Sequence, residues 1–572
     1  MTLFIDGKKI EAADGQTVLE AIYKAGLELA HFCWHPALSI SGNCRMCLVE
    51  IGTPKMGADN TPLLDENGNY VVSYIPKLQI ACATPATNLM HINASSEKVL
   101  KARKAIMEFL LINHPLDCPI CDEAGECKLQ EYAYKHSIGE SRFTEEKEHK
   151  PKRVAWSDKI MYDGERCIMC SRCIRFAKEV AGQDVLTFVN RGDKIYIDVE
   201  KGQTFDNPLS MNVIDICPVG ALTSRDFRFK SRVWEMSFGN TISPHDSTGS
   251  NIHVGTKKNQ ILRISASVNP KANEYWISND VRLDYKKYEE NRLVTPKIKG
   301  QGVLWNELYQ KAADELKKFK PEEIFVLCSP IASMESNYAL IKFAVSLGTK
   351  GIGFFTHFDE TAEEGRLIVK DKSPNLCGLL KLGLSLEVNN KAALELPERM
   401  KKGEIKAVII LEEGQIENLE FAEFVLDISS FGKSPSSKDT YQAPAATAFE
   451  SEGTFVNKDS LIQHFTPIIE TKSQRASVNL GRWDKFGADN DSWSKKNIID
   501  ALPSWKIIAG IAQFISANWN FNRAEDVFDE LKVKYNFSDL SYKMLDDYKG
   551  FNLDSAADEK PEYIYKSHIY KP

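Results

Sequence analysis

The sequence predicts a multidomain protein, with small α+β domains first and an open α/β half after them. Three observations carry this. The chain has 572 residues, about four times the ~150 residues of an ordinary domain. Eleven of its 13 cysteines fall within the first 217 residues. From about residue 300 apolar strand-like runs alternate with helical stretches, as in βαβ units. Apolar residues at 43% and charged residues at 26% mark a globular chain, neither disordered nor fibrous. The net charge of −7 argues against nucleic acid as a partner.

The elements follow in order. Thr2–Ile5 and Lys8–Glu11 read as strands joined at Asp6-Gly7, a hairpin dipeptide. Thr17 is expected to cap a helix, with Glu20 completing a capping box and Gly26 ending it. Val18, Ala21, Ile22 and Ala25 form its expected buried stripe. Residues 52–73, rich in Gly, Pro, Asn and Asp, read as a surface excursion inside this first domain. A helix is expected over 95–113, with Val99, Ala102, Ile106, Phe109 and Leu110 on its apolar face, stopping before Pro115. Residues 140–153 read as a charged, solvated connector. Further on, Ile324–Cys328 and Ala407–Leu411 read as strands, 333–347 as a helix and 352–355 as a second apolar run. The chain from about Ser541, rich in Tyr, Lys and Asp, reads as an extended tail. There is no internal repeat.

MTLFIDGKKI lacks the basic start and apolar core of a signal peptide and the Arg/Ser richness of a transit peptide. No apolar run of about 18 residues occurs, so no span is expected. These features suggest a soluble protein in a reducing compartment, where clustered cysteines are metal ligands more often than disulfides.

The early cysteines divide into three sets. Cys33, Cys44, Cys47 and Cys82 place three thiols on one loop and a fourth far off, a set that can wrap a [2Fe–2S] cluster; a four-thiolate zinc site is the alternative. Gly42 would let backbone N–H groups approach the cluster sulfide. His31 and His35 beside Cys33 read as packing or surface residues. His114, Cys118, Cys121 and Cys127 offer one imidazole and three thiols, which suit a [4Fe–4S] cube with a histidine ligand or a Cys₃His zinc site. Cys167, Cys170 and Cys173, with Cys217-Pro218 much later, have the ferredoxin-like spacing of one [4Fe–4S] cube. The three sets use every early cysteine. Cys328 and Cys377 read as core or incidental thiols. No glycine-rich dinucleotide fingerprint is present, since Gly351-Ile-Gly353 lacks its third glycine, and there is no P-loop.

With that order of sites, the chain resembles the large iron–sulfur subunits of respiratory complex I, the NADH–quinone oxidoreductases. The resemblance rests on SGNCRMCLVE (41–50), HPLDCPICDEAGECKLQ (114–130), GERCIMCSRCIRF (164–176) and DICPVGALTSRDF (215–227), continues through WEMSFGNTISPHDSTGSN (234–251), and weakens in QAPAATAFESEGTFVN (442–457). It implies a [2Fe–2S] ferredoxin-type domain over 1–94, a His/Cys₃ [4Fe–4S] domain over 95–150, a Cys₄ [4Fe–4S] domain over 151–232, a molybdopterin-oxidoreductase-like α/β domain without cofactor over 233–540, and a tail over 541–572. The ligands it implies fall on Cys33, Cys44, Cys47 and Cys82, on His114, Cys118, Cys121 and Cys127, and on Cys167, Cys170, Cys173 and Cys217.

By this likeness the chain would relay electrons, in the order [2Fe–2S], His-ligated and Cys-ligated cluster, as part of an oxidoreductase complex. Its partners would be the FMN/NADH-binding subunit, a small [2Fe–2S] subunit, a two-cluster ferredoxin-like subunit and the quinone-site subunits, with the membrane arm contacted indirectly. It would lie on the cytoplasmic side of the bacterial inner membrane and hold no molybdopterin, FMN or NAD itself. Some relatives of this kind carry a further Cys-rich cluster near the start of the second half. Residues 239–251 here contain no cysteine, so that cluster is not expected. The alternatives are a hydrogenase or formate dehydrogenase large subunit, which would need more clustered cysteines after Cys217, and a zinc-bearing scaffold protein.

Overall fold

The computed structural model describes residues 1–137, 139–432, 440–477, 499–515, 519–537 and 539–554. Its chain divides into two compact units, the first formed by Met1–Glu235 and the second beginning at Met236.

In the first unit the expected hairpin forms and joins a mixed sheet. Its order is Lys8–Glu11, Thr2–Ile5, Met90–Asn93, Leu48–Pro54 and Val72–Tyr74, with Gln79–Ile80 also paired to Leu48–Pro54. Only the Thr2–Ile5 and Met90–Asn93 pairing is parallel. Thr17 caps the helix Val18–Lys24 through a reciprocal box with Glu20. Leu19 joins Val18, Ala21 and Ile22 in the core, while Ala25 is exposed, because the helix ends one residue before it.

The next helix runs Glu97–Leu111 under a Ser96 cap. Its buried face matches the expected one only at Val99. Val99, Arg103 and Met107 are buried, whereas Phe109 is 77% exposed. The Arg103 guanidinium reaches the carbonyl of Leu48 at 3.2 Å, on the same face as the buried Val99 and Met107. Ile106, Phe109 and Leu110 instead line an open apolar groove with Ile168, Met169 and Phe188.

The 140–153 segment has no helix or strand, but it is not merely solvated. Lys147 Nζ donates to the carbonyls of Leu111, Ile112 and His114, at the open end of the Glu97–Leu111 helix. After it come a small sheet of Val154–Ala155, Ile160–Tyr162 and Leu222–Ser224, and the helices Arg172–Glu179 and Asn212–Ile216.

The second unit opens with an antiparallel sheet of Ser237–Ile242, Asn251–Lys257 and Gln260–Ala266. Its main sheet runs Gln301–Gly302, Lys297–Ile298, Thr440–Pro444, Phe424–Ser429, Ala407–Leu411, Ile324–Cys328 and Gly351–Phe354. The last five strands are parallel. Alternate residues of the central strands enter two cores, one with Val326, Ile409 and Leu426, the other with Phe325, Val408 and Val425. Burial on both faces explains why these strands read as unbroken apolar runs.

The expected tail is in part folded. Ser541 caps a helix over Tyr542–Tyr548, and Phe551–Asn552 pairs with Leu461–Phe465. Leu540, Tyr542 and Leu545 supply buried contacts, a stripe thinly spread among charged residues. The rest of that stretch, 555–572, lies outside the described residues.

Candidate metal centres

The loop after the first helix carries Cys33, Cys44 and Cys47, and the 81–84 turn carries Cys82. That turn is anchored by the helix itself. The N–H groups of Val18 and Leu19 donate to the carbonyls of Thr84 and Ala81 at 2.9 and 3.0 Å. The structure brings all four thiols together: Cys33 lies within hydrogen-bond reach of Cys44 and Cys82, and Cys47 within reach of Cys82. Contact with Cys44 and Cys82 holds the Cys33 thiol well below its usual range. All of these cysteines are free thiols. Gly42, at φ 65, occupies the left-handed region beside them. His31 and His35 are both buried, with the His31 ring meeting Tyr23 and the carbonyl of Leu29.

Cys167, Cys170, Cys173 and Cys217 line one small cavity, walled by Tyr162, Ile197 and Leu222 among others. The cavity, with Arg172 also in its wall, presents four sulfur donors to one space, which suits a cubane. Burial raises all four thiols.

The third set is the looser one. Cys121 is buried, Cys127 is half-buried at the start of the helix Lys128–His136, and Cys118 is exposed. Cys127 and Cys121 are electrostatic neighbours. His114 shares Arg166 with Cys121 as a nearby charge. Burial, with Arg166 and Lys147 close by, pushes the His114 imidazole down to about 4, so it is neutral and able to donate a lone pair.

The donor chemistry fits iron–sulfur clusters. Backbone N–H groups are already aimed at sulfur: Cys44 at Cys33, Cys82 at Cys47, Met169 at Cys167, and Leu129 and Gln130 at Cys127. Such N–H···S bonds stabilise thiolates that carry cluster charge. Among the described residues no group of three or more His, Cys, Asp or Glu is spaced for a single metal ion.

The sets are not arranged in chain order. Cys33 is among the charges felt by Cys170. Ser41 Oγ meets Ser171 Oγ at 3.1 Å, and Asn43 donates to the Met169 carbonyl at 2.9 Å. On its other side the Cys217 loop meets the His114 set: a Cβ on Gly220 would lie 2.1 Å from Cys121 Sγ, and the Lys128 N–H donates to the Pro218 carbonyl. At the level of the thiols the Cys167 set therefore stands next to both others. This corrects the expected order, which placed the His-ligated site second, because the ferredoxin-type loop folds back onto the first domain.

Sequence reasoning missed the arginines that tie these loops. Arg166, 4% exposed, bonds Asp117 through Nε and Nη2 at 3.1 and 2.9 Å and so joins the Cys118 loop to the Cys167 loop. Arg232 donates to the carbonyls of Cys121, at 2.8 Å, and Pro119. The signal for the first of them was adjacency, since Arg166, Arg172 and Arg175 all lie in GERCIMCSRCIRF.

Comparison with known proteins agrees with this geometry. Residues 1–97 match a 2Fe-2S iron-sulfur cluster binding domain. Residues 103–142 match the NADH-ubiquinone oxidoreductase-G iron-sulfur binding region, and 157–223 the ferredoxin-like domain of NADH-quinone oxidoreductase subunit 3. Residues 239–286 match the NADH-ubiquinone oxidoreductase NDSU1/NuoG-like 4Fe-4S domain, although that stretch contains no cysteine. The class is thus an iron–sulfur protein with one [2Fe–2S]-type domain and several [4Fe–4S]-type domains.

The G subunit of the NADH-quinone oxidoreductase of Rickettsia typhi is 39% identical over 389 residues, covering 66% of this chain and 54% of that protein. The Rickettsia felis G subunit is 36% identical over 423 residues, covering 72% and 59%. The Solanum tuberosum mitochondrial NADH dehydrogenase [ubiquinone] iron-sulfur protein 1 is 39% identical over 358 residues, covering 61% and 45%. The chain is a relative of the NADH-quinone oxidoreductase G subunits and spans about half the length of the curated relatives it matches. Among solved structures, a chain of an NAD+-reducing [NiFe]-hydrogenase in the H2-reduced state is similar at 30% identity and TM-score 0.33, covering 41% of this chain and 90% of that one. A TM-score that low defines neither fold nor function. No helix among the described residues is long and apolar enough to cross a membrane.

Proposed function

We propose that this chain is an iron–sulfur electron-relay subunit of an NADH–quinone oxidoreductase, carrying electrons from an NADH/FMN-binding subunit towards quinone. The observation that supports it most is the packing of three thiol-rich sets in one compact unit, with Cys33 beside Cys170 and Gly220 against Cys121. Cys33, Cys44, Cys47 and Cys82 would hold a [2Fe–2S] cluster. His114, Cys118, Cys121 and Cys127 would hold one [4Fe–4S] cluster, and Cys167, Cys170, Cys173 and Cys217 another. Bound clusters supply one-electron transfer.

The chain's own residues do the rest. The aimed N–H groups stabilise thiolate charge, the apolar cavity around the Cys167 set excludes water, and the neutral His114 brings less negative charge to its site than a fourth thiolate would. The partners follow from the same reading: the FMN/NADH-binding subunit, the small [2Fe–2S] subunit, the two-cluster ferredoxin-like subunit and the quinone-site subunits. The assembly would sit on the cytoplasmic side of the inner membrane. The domain limits 1–94, 95–150, 151–232 and 233–540 belong to this proposal. For 233–540 a molybdopterin-oxidoreductase-like scaffold is favoured by its open parallel sheet.

The test is iron analysis with EPR of the dithionite-reduced full chain. The expected result is about ten iron atoms per chain, from one binuclear and two cubane signals. Zinc in their place, with no EPR signal, overturns the relay.

A further inference from the structure

The helix Arg172–Glu179 begins inside the Cys167–Cys173 loop and carries two arginines one turn apart. Arg172 is fully buried, with a relative exposure of 0%. A guanidinium stays protonated in any protein environment, so its charge has to be answered. Among the described residues Arg172 meets two carbonyl oxygens and no carboxylate: Nη2 donates to Trp34 at 2.5 Å and Nη1 to Ile216 at 3.0 Å, while Nε has no partner. Carbonyl dipoles orient a cation without neutralising it. The acids near it are the phenols of Tyr23 and Tyr132 and the thiol of Cys170, which Arg172 lowers against the effect of burial.

Arg175 makes similar carbonyl contacts one turn later, with its Nε on Ser171 Oγ at 3.3 Å and Glu179 as a nearby acid. Its Nη2 donates to the Cys33 carbonyl at 2.5 Å and approaches the Cys170 carbonyl at 3.5 Å, and its Nη1 donates to the Ser39 carbonyl. Each side chain thus has one contact beside the first thiol set and another beside the ferredoxin-type set. Trp34 follows Cys33, and Ile216 precedes Cys217. Two fixed positive charges lie where two electron-accepting, anionic groups would face each other.

We propose that Arg172 and Arg175 are positioning residues for electron passage between these two sites. They fix the spacing of the Cys33 and Cys170 loops, and they place positive charge that favours the reduced state on both sides. The proposal rests on the cluster reading given above. Lysine would keep the charge at position 175 but, as a point donor on a flexible stem, could not span two carbonyls.

The experiment is an EPR-monitored potentiometric titration of the cluster-loaded full chain, with Arg175→Met and Arg175→Lys. Arg175→Met is expected to lower the reduction equilibrium constants of the binuclear centre and the Cys-ligated cubane by about tenfold or more, 59 mV for a one-electron couple, and to leave the His114 centre unmoved. Arg175→Lys is expected to recover most of that shift, while the magnetic interaction between the two reduced centres stays changed because their spacing is no longer fixed. Unmoved potentials in Arg175→Met, an equal shift at all three centres, or no recovery in Arg175→Lys each overturns the proposal. A wild-type chain with no binuclear or cubane signal overturns the cluster reading instead. Arg172→Met is the second variant, and the Arg175 pair decides the matter if Arg172→Met does not accumulate.

Discussion

Replacing Arg166 by methionine tests how the two cubane loops are joined. The guanidinium bonds Asp117 at 2.9 Å and stands 3.5 Å from Asp163, and the side chains of Arg166 and Asp163 are each only 5% exposed, Asp117 18%. Solvent screening is therefore slight. Methionine keeps the volume and the stem contacts but takes the guanidinium from the buried Asp163 and leaves Asp117 with Lys152 alone, at 3.0 Å. Removing one partner of such a buried pair costs about 3–5 kcal/mol. In a unit of this size each kcal/mol moves the melting temperature by about 2–4 °C, so a fall of roughly 6–20 °C is expected. The assay is thermal unfolding of the cluster-loaded chain, followed by loss of iron–sulfur absorbance. Adding Asp117→Asn and Asp163→Asn to Arg166→Met should recover much of the loss, because removing the stranded charges removes their desolvation cost. A fall of less than about 3 °C, or no recovery with the added substitutions, would refute the reasoning.

Other outcomes follow from single features of the two units. His114→Cys should lower the potential of its cubane, since a thiolate adds a negative charge; an unchanged EPR-detected midpoint means that His114 is not a ligand. Gly220→Val should abolish one cubane signal and spare the binuclear one, because its Cβ would sit 2.1 Å from Cys121 Sγ; full retention of both cubane signals counts against the packing described. In the second unit, burial would lower His464, yet a hydrogen bond to Asp546 and an ion pair with Glu452 at 3.4 Å lift it to about 9. A raised folded pKa means that the stabilisation is complete below the unfolded value near 6.5 and is lost as pH rises through about 9, by up to about 3 kcal/mol. Protection factors across 542–552, corrected for the intrinsic rise of exchange with pH, should therefore fall between those pH values, and protection factors independent of pH would remove His464 from the account.

Much of the site was legible because ligand chemistry is local. Two of the thiol sets are short runs of cysteine at fixed gaps, and their remote members, Cys82 and Cys217, were found by completing the count. The hairpin, the capping box and the apolar strands of the α/β half were legible for a similar reason, since each depends on near neighbours in sequence. The rotation of the Glu97–Leu111 helix was not. Its apolar residues pointed to one face, but the buried face is Val99, Arg103 and Met107, with Arg103 bonded to a carbonyl distant in sequence, Leu48. The folding of 541–554 was hidden because three buried residues do the packing and the charged ones fill the composition. The spatial order of the three sets was hidden too, since nothing in the order of motifs along a chain says which loop folds back.

The excursion between Cys47 and Cys82 carries a further consequence. Its two sides are zipped together, Leu48–Pro54 against Val72–Tyr74, with bridges at Met56–Pro62 and Leu64–Tyr70 and a turn closed by Asp65 and Gly68. Both ends therefore return to the same place whatever lies between them. Loop-closure entropy rises only with the logarithm of length, by about 0.6 kcal/mol for each doubling. The gap of 34 residues before Cys82 thus measures the arm and not the metal centre. A search for related centres by fixed spacing would miss chains with longer or shorter arms, and the 65–68 turn is a place to splice in a reporter without touching a single donor atom.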